Sequence, residues 1–298
     1  MNFENQANQY LAEIASTVRP NTLQVYRSIL DSRILPAIGG LELADVGNKT
    51  VKALVVSLTD AHLSPATITL AVGLVKQIVK SAVDEEGNRL YRVDWNSDFI
   101  KAPKVNPKSQ SSPIATSEAL SKAVAGTKGE IRVLVALLAG TGLRVGEALA
   151  VGVGPDWAGN VWDPESGTIE VRATLTRHGL QIAPKTEAGN RIVDLSPELN
   201  SFLKAEFPQS TGQLFHTPLR TLYRRIHELN IDGFHSMRRF RITHQQMQNV
   251  PAMLVKYGAG HAASDISERY TKVGSQIAAR KQWAQSAGLG FELHAKNF

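Results

Sequence analysis

The sequence predicts a mainly α-helical fold of two domains, the second of which also carries a small antiparallel sheet. The chain has 298 residues, 43% of them hydrophobic, which is enough for two packed cores. Helical periodicity runs through the first hundred residues, and strand-like runs appear only in the second half. A segment rich in proline and lysine separates the two parts. These observations divide the chain into a helical domain at 1–100, a linker at 101–113 and a second domain at 114–298.

Capping signals and apolar periodicity predict four helices in the first domain. The clearest start is Ser64 followed by Pro65, because the fixed φ of proline suits the first helical position. A turn at residues 36–40 is expected to end the second helix. The predicted helices are residues 6–16, residues 21–35, a helix that starts at Thr50, and residues 65–86.

The linker has an unusual composition. Residues 101–113 contain three lysines, three prolines, three serines and no acidic residue, which indicates an extended, solvated segment. Its positive charge suits a strap that lies across a phosphate backbone. An ordinary surface linker would have the same composition, and the sequence leaves both interpretations open.

The second domain starts with helices and then changes to strand-like runs. Two such runs, with turn signals at Gly179 and Gly189, predict the antiparallel sheet. Helical signals return from about Leu219. The predicted elements are a helix near 116–125, a buried helix at 131–139, strands at 168–175 and 181–195, and a C-terminal helix at 274–287.

The charge of the chain is compatible with a nucleic-acid partner. The net charge is +6 and the pI is about 9.5, values that many soluble proteins share. The distribution is more informative, because six arginines crowd into residues 220–241 and a guanidinium can hold two phosphate oxygens at once. These arginines are Arg220, Arg224, Arg225, Arg238, Arg239 and Arg241.

Composition excludes several classes of function. The chain has no cysteine, which excludes disulfides, thiolate metal sites and thiol catalysis. No apolar stretch reaches the ~20 residues of a membrane span, and no signal-peptide pattern is present, so we expect a cytoplasmic protein without a membrane partner. The eight histidines do not form a metal-ligand pattern. We therefore expect neither a metal nor another cofactor.

The first motif is GTGLRVGEAL at residues 140–149. Two glycines allow a sharp turn, a helix is predicted to start at Leu143, and Arg144 falls in its first turn. The helix dipole disfavours a cation there, but the free amides of a helix start bind anions, so a bound phosphate would reconcile the two. Glu147, one turn on, is placed to hold the guanidinium. A surface Arg–Glu pair is the alternative.

The second motif is FHSMRRF at residues 234–240. His235 and Arg238 are three residues apart, a spacing that puts both on one face of a helix. Met237 and Phe240 are expected to face the core. A basic helix face that touches solvent or a DNA backbone explains this motif alone equally simply.

The third motif is GAGHAASDISERYT at residues 258–271. Two glycines bracket a turn, His261 follows directly, and Tyr270 lies nine residues later. Glycines let a backbone approach a ligand closely. A lone tyrosine is ordinarily a half-buried packing residue, which is how we interpret Tyr257, the other tyrosine near the motif.

Together the three motifs resemble the signature of the tyrosine recombinases, the phage integrase family. That signature is an arginine in a TGLRxxE-like segment, an HxxR pair, a GH pair and a nucleophilic tyrosine, in this order and at similar spacings. Segment 183–195 also resembles the family's β-hairpin, whose catalytic lysine corresponds to Lys185. The resemblance covers nearly the whole chain, and its first domain is similar to the family's core-binding domain. The candidate catalytic residues are Arg144, Lys185, His235, Arg238, His261 and Tyr270.

The resemblance implies DNA cleavage and rejoining without metal or ATP. Tyr270 would attack a phosphodiester to give a 3′-phosphotyrosine and a free 5′-hydroxyl, and Lys185 would protonate the departing oxygen. The two arginines would neutralise the non-bridging oxygens through bidentate hydrogen bonds. The two histidines would add donors, or His235 would accept the tyrosine proton.

The resemblance also implies partners. Two domains would close as a C-shaped clamp on double-stranded DNA, and four protomers would assemble on paired sites through exchange of the C-terminal tail, residues 288–298. An accessory DNA-bending or directionality protein is possible within this scheme. The chain would be a simple recombinase of a phage or mobile element, without an arm-site-binding domain. Candidate DNA contacts are Lys101, Lys104, Lys108, Arg239 and Arg241.

Two other functions fit the same motifs. A type IB topoisomerase shares the first chemical step but relaxes supercoils without strand exchange. A DNA-binding protein with the same fold that has lost cleavage is the alternative outside the enzymes, although the complete set of motif residues argues against it.

Overall fold

The chain divides into two compact units, Met1–Gln110 and Ser111–Phe298. The mainly α-helical fold predicted from the sequence, with a small sheet, is confirmed. No helix of the described segments is long and apolar enough to cross a membrane. The computed structural model describes residues 1–106, 113–182, 189–208, 211–261 and 273–293.

The first unit is built from helices around one apolar core. Its longest helix, Pro65–Ser81, packs against the helices Phe3–Ile14 and Asn48–Asp60 and contributes seven buried side chains to this core. Ser64 caps that helix as predicted, since its hydroxyl accepts a hydrogen bond from the amide of Thr67 at 3.2 Å. The helices are α1 (Phe3–Ile14), α2 (Pro20–Ile29), α3 (Leu35–Ile38), α4 (Asn48–Asp60), α5 (Pro65–Ser81) and α6 (Ser97–Ile100).

The second predicted helix does not end where expected. A π-helical turn at Leu30–Ile34 connects α2 directly to α3, so the helical path passes the predicted stop at Pro36. The amide of Leu35 bonds the carbonyl of Leu30, five residues back. This wider turn accommodates a proline, which has no N–H to donate and would disrupt an ordinary α-helical turn.

Other elements of this unit also differ from prediction. Helix α1 begins at Phe3 rather than near Gln6, and the short helix α6 was not predicted. Helix α5 ends at Ser81 rather than near Glu86, because Ala82 is extended and the next residue pairs with Arg89 in a β-bridge. Helix α4 begins at Asn48, two residues before Thr50, whose hydroxyl instead donates to the carbonyl of Asp45.

The second unit places eight helices around small sheets within the described segments. The predicted buried helix is α8, in which every residue from Ile131 to Thr141 is buried, and it packs against α7, α10 and α12. The helices are α7 (Ser117–Gly126), α8 (Glu130–Thr141), α9 (Val145–Leu149), α10 (Pro197–Glu206), α11 (Leu219–Glu228), α12 (Phe234–Met247), α13 (Ala252–Ala259) and α14 (Ile277–Ala287).

The strands form a five-stranded sheet in the order β6-β3-β2-β1-β7 and a separate β4-β5 hairpin. Pairing is antiparallel except between β1 and β2, which are parallel. The sequence did not indicate β1, β2 or β7, because each has only two to four residues and lies near glycines. The strands are β1 (Val151–Val153), β2 (Asn160–Asp163), β3 (Thr168–Val171), β4 (Ala173–Thr176), β5 (Gly179–Ile182), β6 (Arg191–Asp194) and β7 (Gly212–Gln213).

The start of the C-terminal tail packs on its own unit. Leu289 and Phe291 are buried in the same core as α8. The carbonyls of Gly288 and Gly290 accept hydrogen bonds from Arg241 and from the hydroxyl of Ser117, both at 2.6 Å. In the single chain, residues 288–293 therefore contact their own unit, and docking of the tail on a neighbouring protomer stays a prediction. Residues 294–298 lie outside the described residues.

Candidate active site

Arg144 is the residue immediately before helix α9, which begins at Val145, two residues later than the predicted start at Leu143. Gly142 ends α8 with a left-handed backbone conformation, φ 73°, which turns the chain sharply into α9. The backbone amide of Arg144 donates to Glu147 Oε2 at 2.9 Å, and its guanidinium Nη1 donates to Oε1 at 2.8 Å. The Arg144 side chain is nevertheless 47% exposed. It is thus anchored on one side and open to a ligand on the other.

Glu147 is buried and carries two arginines. Besides Arg144, it accepts from Arg191 Nη2 at 2.9 Å and from Arg191 Nη1 at 3.3 Å. Burial alone would raise the pKa of Glu147, but the hydrogen bonds and positive charges of these arginines hold it below its usual value. Glu147 is therefore a carboxylate at neutral pH, and its backbone carbonyl is fixed by the buried amide side chain of Asn160 at 2.6 Å.

Helix α12 contributes His235 and Arg238. Arg238 is 2% exposed and donates to the carbonyls of Gly142 and Ala259, both at 2.6 Å. Burial, followed by the positive charge of Arg144, lowers the pKa of Arg238 to about 10, so it stays charged at neutral pH. His235 lies at the exposed start of the same helix.

The end of helix α13 is held by three arginines. Three consecutive carbonyls there each accept from a different guanidinium, which suits the partial negative charge of a helix C-terminus. Gly260 follows in a left-handed conformation, φ 64°, and His261 comes next on the exposed side. The pairs are Gly258 with Arg191 at 2.8 Å, Ala259 with Arg238 at 2.6 Å, and Gly260 with Arg144 at 3.4 Å.

The site carries an excess of positive charge. Arg144 and Arg191 bond the Glu147 carboxylate, and Arg238 lies within its electrostatic influence, so three guanidiniums and one carboxylate leave an excess of two positive charges. The imidazole pKa of His235 and that of His261 are both lowered, first by partial burial and then by the arginines around them. Both rings are neutral at physiological pH. The arrangement is suited to bind an anion and to accept or donate a proton beside it.

The structure brings five sequence-predicted residues together from three separate segments. Arg144 and Arg238 lower the pKa of both histidines, and His261 also lowers the pKa of His235. These residues are Arg144, Glu147, His235, Arg238 and His261. Tyr270 and Lys185 lie outside the described residues, as does Lys108.

Tyr257 packs as the sequence predicts. Its side chain is half-buried, its hydroxyl accepts from the amide of Ile192 at 3.1 Å, and the guanidinium of Arg280 lies 5.6 Å from its ring centroid. Tyr257 therefore connects α13 to β6 and α14.

Sequence reasoning missed Arg191. Alternation along β6 gave no usable signal, because the polar Arg191 is on the buried face of the strand while its apolar neighbour Ile192 is 38% exposed. Arg191 becomes a candidate site residue only once its buried partner Glu147 is known, and Glu147 is 44 residues away in sequence.

The structure corrects one of the predicted DNA contacts. Arg241 is 3% exposed, and its Nη1 donates to the carbonyl of Gly288 at 2.6 Å. Burial lowers its pKa to about 10. Arg241 faces the interior because it lies three residues after Arg238 on the same side of α12. Among the described residues it bonds the start of the tail, whereas Arg238 bonds the backbone beside Arg144 and His261.

The other described DNA-contact candidates remain accessible. Lys101 and Lys104 are exposed. Arg239 is half-buried and donates to the carbonyl of Pro113 at 3.1 Å. In the described part of the chain, no three His, Asp or Glu side chains are grouped in a way that could hold a metal ion.

Comparisons with known proteins agree with the motifs. Residues 2–58 match the family model described as phage integrase, N-terminal SAM-like domain. The structure is similar to the Tn1549 transposon integrase in complex with transposon right end DNA, with a TM-score of 0.65, 18% identity, and coverage of 95% of this chain and 94% of that chain. No match was found among curated proteins.

The fold is also similar to that of lambda integrase. A dimer bound to a core site gives a TM-score of 0.61 at 14% identity and covers 97% of both chains. A tetramer bound to a Holliday junction gives 0.62 at 15% identity and covers 92% of this chain and 80% of that one. At these identities the likeness establishes the fold. With the N-terminal match, it confirms the resemblance to the tyrosine recombinases of the phage integrase family.

Proposed function

We propose that this chain is a site-specific DNA recombinase in which Tyr270 cleaves one strand through a 3′-phosphotyrosine intermediate. The observation that carries the proposal is the arginine cluster around Glu147. Its Arg144 and Arg238 give the site a net positive charge, and neutral histidines lie beside them. A phosphodiester is the anion that matches such a site, because two guanidiniums can neutralise its two non-bridging oxygens.

The chemistry follows from balancing the bonds and protons. The Tyr270 oxygen forms a bond to phosphorus while the bond from phosphorus to the 5′-oxygen breaks. The tyrosine proton passes to a neutral base, for which His235 is available because its pKa is lowered. The departing oxygen takes a proton from Lys185. Attack by a 5′-hydroxyl on the phosphotyrosine reverses these steps, so rejoining needs no ATP.

We further propose that four protomers assemble on paired sites in double-stranded DNA. Lambda integrase has been solved as a dimer bound to a core site and as a tetramer bound to a Holliday junction. A tail exchange that included residues 288–293 would have to remove Leu289 and Phe291 from the core of their own unit. We therefore restrict the proposed exchange to residues 294–298.

The decisive experiment traps the covalent adduct on a nicked duplex from which the short cleaved fragment diffuses away. We expect the wild-type chain to form a protein–DNA adduct and Tyr270→Phe to form none, because phenylalanine has no nucleophilic oxygen. Tyr257→Phe is the matched control, since it removes a hydroxyl that bonds the amide of Ile192 in β6, and it should retain the adduct. An adduct with Tyr270→Phe equal to wild type would disprove the assignment.

A second readout separates the recombinase from its rivals. Paired target sites on one supercoiled plasmid should give recombinant products. Relaxation without any recombinant product would favour a type IB topoisomerase, and binding without an adduct would favour a DNA-binding protein that does not cleave.

A further inference from the structure

Arg191 connects three parts of the candidate site from a fully buried position. Its side chain is 0% exposed. Nη2 and Nη1 bond the two oxygens of Glu147 at 2.9 and 3.3 Å, and Nε bonds the carbonyl of Gly258 at 2.8 Å. Nη1 also donates to the carbonyl of Gly189 at 3.1 Å, on the approach to β6. One guanidinium thus joins α9, α13 and the start of β6.

We propose that Arg191 is a positioning residue for the cleavage reaction, holding Glu147 and the end of α13 so that Arg144 and His261 face one phosphate. This inference rests on the proposed recombinase function. Arg191 itself cannot touch DNA, because its side chain has no exposed surface. Its effect has to pass through the groups that it holds.

The first group it holds is the Arg144 guanidinium. Both oxygens of Glu147 are shared, since Oε1 and Oε2 each accept from Arg144 and from Arg191. Without Arg191, the buried carboxylate would be left with Arg144 as its counter-ion, and this stronger pairing would compete with the phosphate for the Arg144 charge. Arg191 satisfies the carboxylate and leaves Arg144 available.

The second group is the turn that carries His261. A Cβ on Gly260 would lie 2.7 Å from Arg191 Nη1 and 2.9 Å from its Cζ, so the glycine backbone fits directly against the guanidinium. The planar guanidinium of Arg191 donates hydrogen bonds in three directions at once, to Glu147, Gly258 and Gly189. A lysine ammonium is a point charge on a flexible stem and cannot reproduce this fork.

The test compares wild type, Arg191→Met, Arg191→Lys and the double variant Arg191→Met with Glu147→Gln. Single-turnover adduct formation on the nicked duplex, DNA affinity and thermal unfolding are measured for each. Arg132→Met is the matched control, because Arg132 forms a buried 2.8 Å ion pair with Glu206 in the same unit, away from the site. It breaks a comparable pair without touching Arg144 or the end of α13.

We expect Arg191→Met to slow adduct formation by about 10²-fold, a loss of the size seen when one transition-state donor is removed, with DNA affinity changed by less than about threefold. Arg191→Lys should remain slow although it keeps the charge. The double variant should recover thermal stability, because no unpaired carboxylate remains, but it should not recover the rate. Arg132→Met should lose stability and, assayed well below its unfolding temperature, keep its rate.

Three results would overturn the inference. They are an Arg191→Met rate within about threefold of wild type, a rate that recovers with stability in the double variant, and a rate loss in Arg132→Met equal to that of Arg191→Met. A wild-type chain that forms no adduct would instead overturn the proposed function, on which the inference rests. The two failures are therefore distinguishable in one experiment.

Discussion

The two units differ in what they bury. Among the described residues, the first unit buries one polar side chain, Gln6, in a core that is otherwise apolar. The second buries ten polar or charged side chains, and five of these are arginines. The ten are Arg132, Thr141, Glu147, Asn160, Arg191, Ser196, Ser236, Arg238, Arg241 and Arg280.

The difference indicates that the second unit gives up part of its apolar packing to bury groups that are suited to chemistry. Removing a guanidinium from water costs several kcal/mol even after relaxation, and hydrophobic replacements of such groups often stabilise a protein. The first unit avoids that cost and behaves as a packed scaffold. The second unit incurs this desolvation cost at several residues. Three of its buried charged groups, Glu147, Arg191 and Arg238, surround one exposed guanidinium, that of Arg144. Groups fixed in advance need no reorganisation when charge develops on a phosphate.

The largest effect is expected from Arg238→Lys. Lysine cannot bridge the carbonyls of Gly142 and Ala259 while presenting a planar fork, so adduct formation should fall by about 10²–10³-fold. Arg241→Lys is the control, because Arg241 is buried on the same helix with a pKa lowered to the same value, about 10, but its hydrogen bond among the described residues is to the start of the tail. Equal losses of adduct rate in both variants would mean that buried arginine matters here for stability alone.

The contrast also explains what the sequence could predict. In the first unit, apolar periodicity located the four longer helices but not the four-residue helix α6. The boundaries around Pro36, Thr50 and Glu86 were wrong, because a π turn, a shifted cap and an extended residue decide them. Periodicity works there because burial and apolarity coincide.

In the second unit, burial and apolarity do not coincide. The three motifs located Arg144, His235 and His261 because their spacing is local, but nothing local marked Arg191 as buried or Arg241 as a tether for the tail. Both depend on partners 44 and 47 residues away, Glu147 and Gly288. Long-range pairs of this kind become visible only in the fold.

Smaller effects are expected on the free energy of unfolding, where a cavity in the first unit can be compared with a broken ion pair in the second. Leu54→Ala in the first unit should cost about 2–5 kcal/mol of unfolding free energy through lost packing. Arg280→Met in the second should cost about 3–5 kcal/mol, because it leaves Asp194, paired at 2.8 Å and 5% exposed, without its counter-ion. Denaturant unfolding measures both values, and hydrogen exchange assigns each to its unit.

The two losses should respond differently to a second substitution. Adding Asp194→Asn to Arg280→Met removes the unpaired carboxylate and should recover much of the loss, whereas a cavity at Leu54 has no charged partner to neutralise. If the double variant is no more stable than Arg280→Met alone, the buried pair contributes by shape rather than by charge.

The smallest expected effect is a difference between the two units in how much stability they lose at acidic pH. The imidazole pKa values of His235 and His261 are below their ordinary 6.5 in the folded chain, chiefly because of partial burial and then because of nearby arginines. As pH falls below about 6.5, the unfolded chain therefore binds protons first, and folding stability decreases until the pH passes the lowered pKa values. Glu147, with its pKa also lowered, adds a further loss at more acidic pH, as its carboxylate is protonated.

The first unit buries no charged group among its described residues, so acidification from pH 7.5 to 5.5 should loosen the second unit more. Hydrogen exchange, corrected for the intrinsic pH dependence, measures this by segment. Duplex DNA should reverse the trend, because a phosphodiester in the site favours the imidazolium and raises both histidine pKa values. Equal acid sensitivity in the two units would contradict the expected effect of the lowered histidine pKa values on stability. Histidine pKa values that DNA leaves unchanged would show that these rings do not face the bound phosphate.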